Sequence, residues 1–374
     1  MLSAYIHVPF CAQRCGYCDF NTYALGRTAL SPDGWVDAMR AEIAMWAIPN
    51  RGPLGTVFVG GGTPTLLGAG RLASVLDALR DGFGLTLNAE VTVEANPETV
   101  TPELLDGLLA AGVTRLSLGM QSADEAVLAT LDRAHTPGQA LRSVEAAHRA
   151  GFGDVSLDLI YGTPGESPAS WQATLDAALS VGPEHVSCYA LIVEPGTPLA
   201  RRIARGDLPT PDDDLMADEY IMADAALTVA GLGWYELSNW ARQGHFCRHN
   251  LVYWRSGEWL GFGPGAHSHQ SWTAGFAHRW WNSKQPARWA STLMRGDAPV
   301  AGNETIYPAQ IHEERVLLEL RLATGLPMDV LTPTEAARVP ALIADGLATT
   351  RRNRLTLTLK GRLLADKVTL DLLD

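Results

Sequence analysis

Short apolar and β-branched runs recur through the first half of this chain, and segments with helical periodicity separate them. Ala4–Pro9, Thr56–Gly60, Glu90–Glu94, Arg115–Gly119, Val155–Ile160 and His185–Leu191 read as strands. Trp35–Ile48 places Val36, Met39, Ile43 and Trp46 on one stripe, and Arg71–Leu79, Pro102–Ala111, Asp124–Asp132, Pro137–Ala150 and Ser167–Val181 repeat that spacing. Pro102 and Pro137 suit first-turn positions, and Ser167 suits a cap. Strands alternating with helix-sized segments predict a parallel sheet with right-handed crossovers. Six such units fall short of the eight that close a full barrel. Residues 1–200 therefore read as an open, partial (β/α)6 barrel of the α/β class.

The pattern then changes twice. Glu194–Asp214 is rich in Pro, Gly and Asp and reads as an exit from the barrel, followed by an amphipathic helix over Leu215–Gly231. Residues 201–304 form a Trp-rich extension, with eight of the eleven tryptophans at 234, 240, 254, 259, 272, 280, 281 and 289. Residues 305–374 offer helices at Ile311–Leu322 and Thr334–Asp345, an alternating run Arg354–Leu359 and a last helix Lys360–Leu373, the order of a small winged-helix-like domain.

Composition narrows the function. The 374 residues are 47% hydrophobic and 19% charged, enough to bury a large core, and the net charge of −12 argues against a partner that is nucleic acid. The chain holds no run of 18 apolar residues, and its N-terminus lacks the basic region of a signal peptide, so a soluble, cytoplasmic protein is expected. Five cysteines are too few for a disulfide scaffold.

Three of those cysteines, Cys11, Cys15 and Cys18, crowd into eight residues just after the first strand. In a parallel βα array, ligands bind at the carboxyl ends of the strands. The other strand ends carry Gly60-Gly61-Gly62-Thr63-Pro64, Glu94-Ala95-Asn96-Pro97, Gly119-Met120-Gln121-Ser122 and, from within the fifth strand, Asp158. The topology brings all of these to one rim. Three thiolates at C-x3-C-x2-C spacing suit an iron–sulfur cluster with one iron left open, since electron-transfer cubanes take four cysteines. The rival is a structural zinc site completed by His7 or a distant residue, but no second ligand pair follows at the usual spacing.

The segment Tyr5-Ile6-His7-Val8-Pro9-Phe10 followed by C-A-Q-R-C-G-Y-C resembles the radical S-adenosylmethionine (SAM) superfamily. That resemblance implies a [4Fe–4S] cluster held by Cys11, Cys15 and Cys18, with the amino and carboxylate groups of SAM on the open iron and reductive cleavage of its sulfonium. It also implies SAM contacts from Tyr5, Tyr17, Gly61, Gly62, Thr63, Glu94, Gln121, Arg133, Asp158 and Ala190, with His267 as a further pocket residue. Gly60–Thr63 would let the backbone approach the methionine amino group, Arg133 would meet its carboxylate, and Asp158 would meet ribose hydroxyls or the ammonium.

Within the superfamily the chain is similar to the group that holds oxygen-independent coproporphyrinogen III oxidase and the haem chaperone HemW family. The porphyrinogen decarboxylases carry a fourth cysteine two residues after the third, and Phe20 stands there in this chain. They also extend upstream of the cluster loop, where ten residues precede Cys11 here. Cys247-Arg248-His249-Asn250-Leu251-Val252-Tyr253-Trp254 matches the H-N-x-x-Y-W signature of the chaperone branch, with Gly263–Ser268 close behind. The resemblance therefore implies a haem-binding chaperone that passes haem to an acceptor protein, such as one of the respiratory chain; the alternative is the oxidative decarboxylase. His249 is the expected axial ligand, with Cys247 and His245 as rivals, and Arg279 and Arg288 are candidate partners for haem propionates. A flavodoxin or ferredoxin would serve as electron donor if SAM is cleaved, and a peripheral membrane contact stays open. The sequence assigns no catalytic side chain and does not decide whether SAM is cleaved.

Overall fold

The structure, a computed structural model, describes residues 2–47, 52–271 and 275–373. Ile48, at the end of one expected helix, and Trp272 of the aromatic stretch lie outside the described residues. The expected parallel strands are β1 (Leu2–Val8), β2 (Leu54–Gly61), β3 (Leu85–Ala95), β4 (Arg115–Gln121), β5 (Val155–Tyr161) and β6 (His185–Ala190). Each pairs in parallel with the next in sequence order.

The crossover helices start where local chemistry directs. In α1 (Pro32–Trp46), α3 (Pro102–Ala110) and α6 (Pro168–Ser180), proline opens the first turn and the hydroxyl of Ser31, Thr101 or Ser167 accepts a backbone N–H. Between them lie α2 (Ala69–Phe83), α4 (Glu125–Thr130) and α5 (Pro137–Ala150). Their apolar faces pack on the sheet in one core that includes Ile6, Met39, Val59, Leu79, Leu118, Leu157 and Trp171.

The exit segment forms a short helix, α7 (Pro198–Ala204), before α8 (Asp213–Val229). Residues 201–304 then extend both edges of the sheet. The antiparallel strands β7 (Gly233–Glu236) and β8 (Asn239–Ala241) continue it beyond β6. After α9 (Arg248–Trp254), β9 (Glu258–Phe262) pairs in parallel with β1, so seven described strands of this sheet run parallel, where six were expected. The antiparallel strands β10 (His267–Ser271), β11 (Ala277–Asn282) and β12 (Val300–Ile306) complete a sheet of twelve, with α10 (Pro286–Met294) packed on α1. Trp240, Leu260, Phe262, Trp280 and Trp289 belong to the same core as the first six strands. Most of the described tryptophans of this stretch thus do packing work.

Glu42 on α1 is a bracket in that packing. Fully buried, it accepts the backbone N–H of Gly263 at 2.8 Å, Asn282 Nδ2 at 2.6 Å and Trp289 Nε1 at 3.0 Å. One carboxylate ties α1 to the loop after β9, to β11 and to α10.

The C-terminal unit has its own core around Val316, Leu320, Leu342, Leu355 and Val368. It comprises α11 (Pro308–Glu319), β13 (Leu326–Pro327), α12 (Pro333–Ala344), the hairpin β14 (Ala348–Arg351) and β15 (Arg354–Leu357), and then two helices, α13 (Leu359–Leu363) and α14 (Ala365–Leu373), in place of the single helix expected. Arg362 docks the unit on α8 and β7. Its guanidinium makes two 2.8 Å bonds to Asp224 and lies 4.4 Å from the Trp234 ring centroid.

Candidate functional site

The cysteine loop follows β1 directly. Phe10–Cys11 pairs with Tyr23–Ala24, which closes the loop on itself, and the N–H of Cys18 donates to the carbonyl of Cys15 across a turn. Gly16 pins the loop to its surroundings, since its N–H donates to Leu131 O and its carbonyl accepts from Leu199 N. Cys11 is buried, and Cys15 and Cys18 are half-buried. Burial, helped by the nearness of Cys15 and Cys18, pushes the Cys11 thiol up to about 11, and burial also raises Cys18. Thiols that act on one another's ionisation share a small volume.

Among the described residues, no three His, Cys, Asp or Glu side chains converge on a single ion. A tetrahedral zinc site with bonds of about 2.3 Å needs sulfurs that nearly touch. A cubane binds each cysteine to a separate iron, so its ligands stand wider apart. The donor set, three thiols with no fourth cysteine beside them, fits a cluster with one iron not bound by protein.

The glycine run at the end of β2 lies against this loop. A Cβ at Gly62 would sit 2.3 Å from the Phe10 carbonyl oxygen and 3.0 Å from Cys11 Sγ, so only glycine allows that approach. Gly62 N donates to Val8 O and Thr63 N to Phe10 O, both at 2.7 Å, while Gly61 N donates to Glu94 Oε2 at 3.0 Å. Glu94 on β3 is therefore fixed by the glycine turn.

Arg133, just after α4, links the remaining strand ends. It donates to Cys15 Sγ at 3.4 Å and, at 2.9 Å each, to Gly119 O and Asn96 Oδ1. Asn96 Nδ2 in turn donates to the Thr63 hydroxyl at 3.0 Å. Tyr17 is hydrogen-bonded to Arg133. Gln121 ends β4 buried and with a φ of 63°, a left-handed conformation that is uncommon outside glycine and that turns the chain over the rim. Asp158 on β5 accepts from Ser117 at 3.0 Å and is bonded by Ser187. Burial raises its pKa. Burial, with the Asp158 charge second, pushes Glu94 up to about 7.

These contacts gather Cys11, Cys15, Cys18, Tyr17, Gly61, Gly62, Thr63, Glu94, Gln121, Arg133 and Asp158 at one end of the barrel. Tyr5 faces the interior beside Glu94 and shares a 3.0 Å hydrogen bond with His7 Nδ1. Ala190 pairs with Tyr161 at the end of β6. His267 sits exposed on β10, stacked on Trp281 at 5.6 Å.

The Cys247–Trp254 segment occupies the opposite end. Glu90, in register with Thr56, accepts the backbone N–H groups of Arg248 and His249 at the start of α9, at 2.9 Å each. His249 is fully buried with both ring nitrogens engaged, Nδ1 with the Thr56 hydroxyl and Nε2 with the Tyr253 hydroxyl, at 2.8 Å each. Burial pushes it down to about 3, so the ring is neutral. Cys247 is also buried, and burial beside Glu90 pushes its thiol up to about 12. His245 is bonded to Asp154 at 2.6 Å. Arg279 is held by Glu304 and Glu314, at 2.9 Å each, while Arg288 is exposed on α10.

One cavity of about 220 Å³ connects the two ends: Glu94 and Asp158 line it, and so do His249, Asn250 and Tyr253. A second hollow of about 290 Å³ shares Tyr189, Asn250 and Tyr253 with it and opens between Trp254 and Leu318 of the C-terminal unit. Sequence reasoning missed Arg115, Thr92, Ser117 and Ser187 on the cavity wall, and it named Asn96 at the rim without its bridging role. Asn96 had a signal, its place at the end of a rim strand; the others read as ordinary alternating strand residues.

Comparison with known proteins follows the same lines. The family model described as the radical SAM superfamily matches residues 5–178. A Mycobacterium tuberculosis protein named heme chaperone HemW is 52% identical over 99% of this chain and 94% of its own. The Escherichia coli protein of the same name is 33% identical over 98% of this chain and 97% of its own. The solved structure of coproporphyrinogen III oxidase (HemN) from E. coli superposes with a TM-score of 0.84 at 24% identity, covering 99% of this chain and 89% of that one, a likeness of fold.

Proposed function

The chain belongs to the HemW family of the radical SAM superfamily, and on that premise we propose that it is a haem chaperone. In this reading it holds a [4Fe–4S] cluster and SAM at one end of the barrel and takes haem as cargo for an acceptor protein. The observation that carries the reading is the single cavity shared by Glu94 and Asp158 with the Asn250 and Tyr253 of the H-N-x-x-Y-W segment. A nucleotide at the cysteine end and a cargo near α9 would sense each other through that space. The outer hollow, walled by Tyr189, Trp254 and Leu318, offers aromatic and apolar surface of the kind a flat macrocycle prefers.

Cys11, Cys15 and Cys18 would hold the cluster, which supplies an electron and an open iron to a bound ligand. The chain's own residues do the positioning. Arg133 presents a guanidinium beside Cys15, suited to a carboxylate. Glu94 and Asp158 present acceptors to hydroxyl or ammonium groups. Tyr5 and Phe58, with ring centroids 6.3 Å apart, form an aromatic wall of the cavity.

The acceptor, in this proposal, is a haem protein of the respiratory chain, reached by peripheral contact with a membrane, and a flavodoxin or ferredoxin supplies electrons where SAM is cleaved. Among the described residues no helix is long and apolar enough to cross a membrane. Phe20, 62% exposed where the decarboxylases carry their fourth cysteine, speaks against the oxidase reading.

Anaerobic reconstitution followed by haem titration, with and without SAM, tests the proposal. A Soret shift that saturates at one haem per chain is expected. No saturable shift, together with formation of protoporphyrinogen from coproporphyrinogen III under reductant and SAM, would replace it with the decarboxylase.

A further inference from the structure

At the end of the cavity away from the cysteines, two polar groups stand without a protein partner. Arg115 opens β4, is 3% exposed, and lines the cavity. Its Nη1 donates to His245 O at 3.0 Å and lies 3.6 Å from Asp154, while its Nη2 finds no acceptor among the described residues. Thr92, fully buried on β3, is the register partner of Arg115 and also faces the cavity, and its hydroxyl is likewise unpartnered. Leaving a buried guanidinium N–H unpaired is costly, and two such donors side by side are rarer still.

The surrounding groups do not supply the missing acceptor. Asp158 accepts from Ser117 and Ser187, and no hydrogen bond joins it to Arg115 Nη2. His185 is bonded to Ser156 at 2.7 Å and to the Tyr235 hydroxyl at 2.8 Å. Cys247 leans toward Glu90, and Glu90 is itself committed to the start of α9. A planar oxyanion with two oxygens matches a guanidinium edge and an adjacent hydroxyl. The space of about 220 Å³ is smaller than the roughly 300–1,000 Å³ of pockets that take drug-sized ligands, and the outer hollow of about 290 Å³ could take a macrocycle only with part of it left outside. A whole macrocycle does not fit in the inner space.

We propose that this inner end is a carboxylate site, in which Arg115 Nη2 and the Thr92 hydroxyl receive the two oxygens of a small carboxylic acid or of a side arm of that size. Arg115 and Thr92 are not among the expected SAM positions, although Tyr5, Glu94 and Asp158 line the same cavity, and the site does not depend on the haem reading. The carboxylate has two sources: a free small acid, or a propionate arm of a tetrapyrrole seated in the outer hollow.

The test titrates the full-length protein with sodium propionate and with propionamide, its neutral counterpart, at ionic strength fixed with chloride, following the 13C carbonyl resonance. Haem and haem dimethyl ester are compared in parallel by their Soret bands. Saturable propionate binding, at least 10-fold tighter than propionamide, with haem and its ester alike, identifies a free acid. Haem at least 10-fold tighter than its ester, without saturable propionate, identifies the tetrapyrrole arm. Arg115→Gln should abolish whichever preference appears, and Thr92→Val, which keeps the shape, should weaken it several-fold in a chain that still folds. If propionate equals propionamide and haem equals its ester in the wild-type protein, the site is not a carboxylate site. Failure of haem to bind at all would remove the haem reading and leave the propionate arm to decide.

Discussion

Arg133 donates through Nη1 to Cys15 Sγ at 3.4 Å, and through Nη2 it holds the ends of β3 and β4. A cation against a ligating sulfur stabilises the more negative, reduced state of a cluster. In the proposed reading the same guanidinium would meet the SAM carboxylate. Arg133→Gln is therefore expected to lower SAM affinity about 10–100-fold, the equivalent of one charged hydrogen bond. It should also shift the midpoint potential of the reconstituted cluster downward at unchanged iron content. Equilibrium dialysis and a redox titration check both. A fall in iron content instead would mean that Arg133 only braces the loop.

Each of Cys11, Cys15 and Cys18 should be needed for the cluster. A serine hydroxyl is a hard, weak ligand for iron, so each Cys→Ser variant is expected to lose most of its iron and visible absorbance after reconstitution. Cys188 and Cys247 are both buried away from the loop, and Cys188→Ser should keep the full complement. Equal iron in all four proteins would dismiss the thiol assignment.

The rim was legible because chemistry and topology agree there. A run of glycines, paired acids and clustered thiols at successive strand ends suits a shared rim in a parallel βα array, and there Thr63, Asn96, Arg133 and Cys15 are joined by contacts while Glu94 is held by Gly61. β9 was not legible. Glu258–Phe262 is five residues long, carries no alternation, and pairs with β1 across more than 250 residues of chain. Only tertiary packing sets its place. The cavity wall was hidden for a related reason: Thr92 and Arg115 look like any inward and outward strand positions until the register sets them side by side.

SAM binding should depend on pH through Glu94. Burial first, then the Asp158 charge, raises its carboxyl to about 7. An ionised carboxylate accepts from a ligand's ammonium or hydroxyl group more strongly than a neutral carboxyl does, so affinity is expected to rise with pH up to about 7 and then level off. At pH 6 it should be about 10-fold below the plateau. Glu94→Gln should flatten the profile. Asp158→Asn should move the inflection to lower pH, because the like charge is gone. Calorimetry between pH 5.5 and 8.5 reads all three, and an inflection that ignores both variants would exclude this pair.

His249 can ligate iron only by giving up one of its two hydrogen bonds. Tyr253→Phe removes the hydroxyl that occupies Nε2. The released bond is of a neutral type, about 0.5–1.5 kcal/mol, so haem affinity should rise about 2–10-fold if Nε2 is the ligating atom. His249→Ala decides the assignment: loss of the Soret shift with the cluster spectrum intact keeps His249 as the ligand, and an unchanged shift leaves haem in the outer hollow, which His249 does not line. Weaker haem binding in Tyr253→Phe would instead make Tyr253 part of the haem contact and remove Nε2 as the ligand.

Glu42 gives the fold itself a pH signature. Three N–H donors converge on its carboxylate, yet full burial outweighs them and pushes it up to about 8. A carboxyl whose folded pKa lies above its unfolded value of 4.5 favours the native state at low pH, and that contribution fades as pH rises through about 8. The slope from one such group is at most about 1.4 kcal/mol per pH unit. Glu42→Gln has no such titration, and its amide nitrogen must face one of the three donors, a mismatch worth about 1–3 kcal/mol. The variant should therefore be less stable than wild type at pH 5.5, and the gap should narrow by pH 8.5. Urea unfolding at the two pH values measures it, and parallel profiles would show that Glu42 stays ionised throughout, held by Gly263, Asn282 and Trp289.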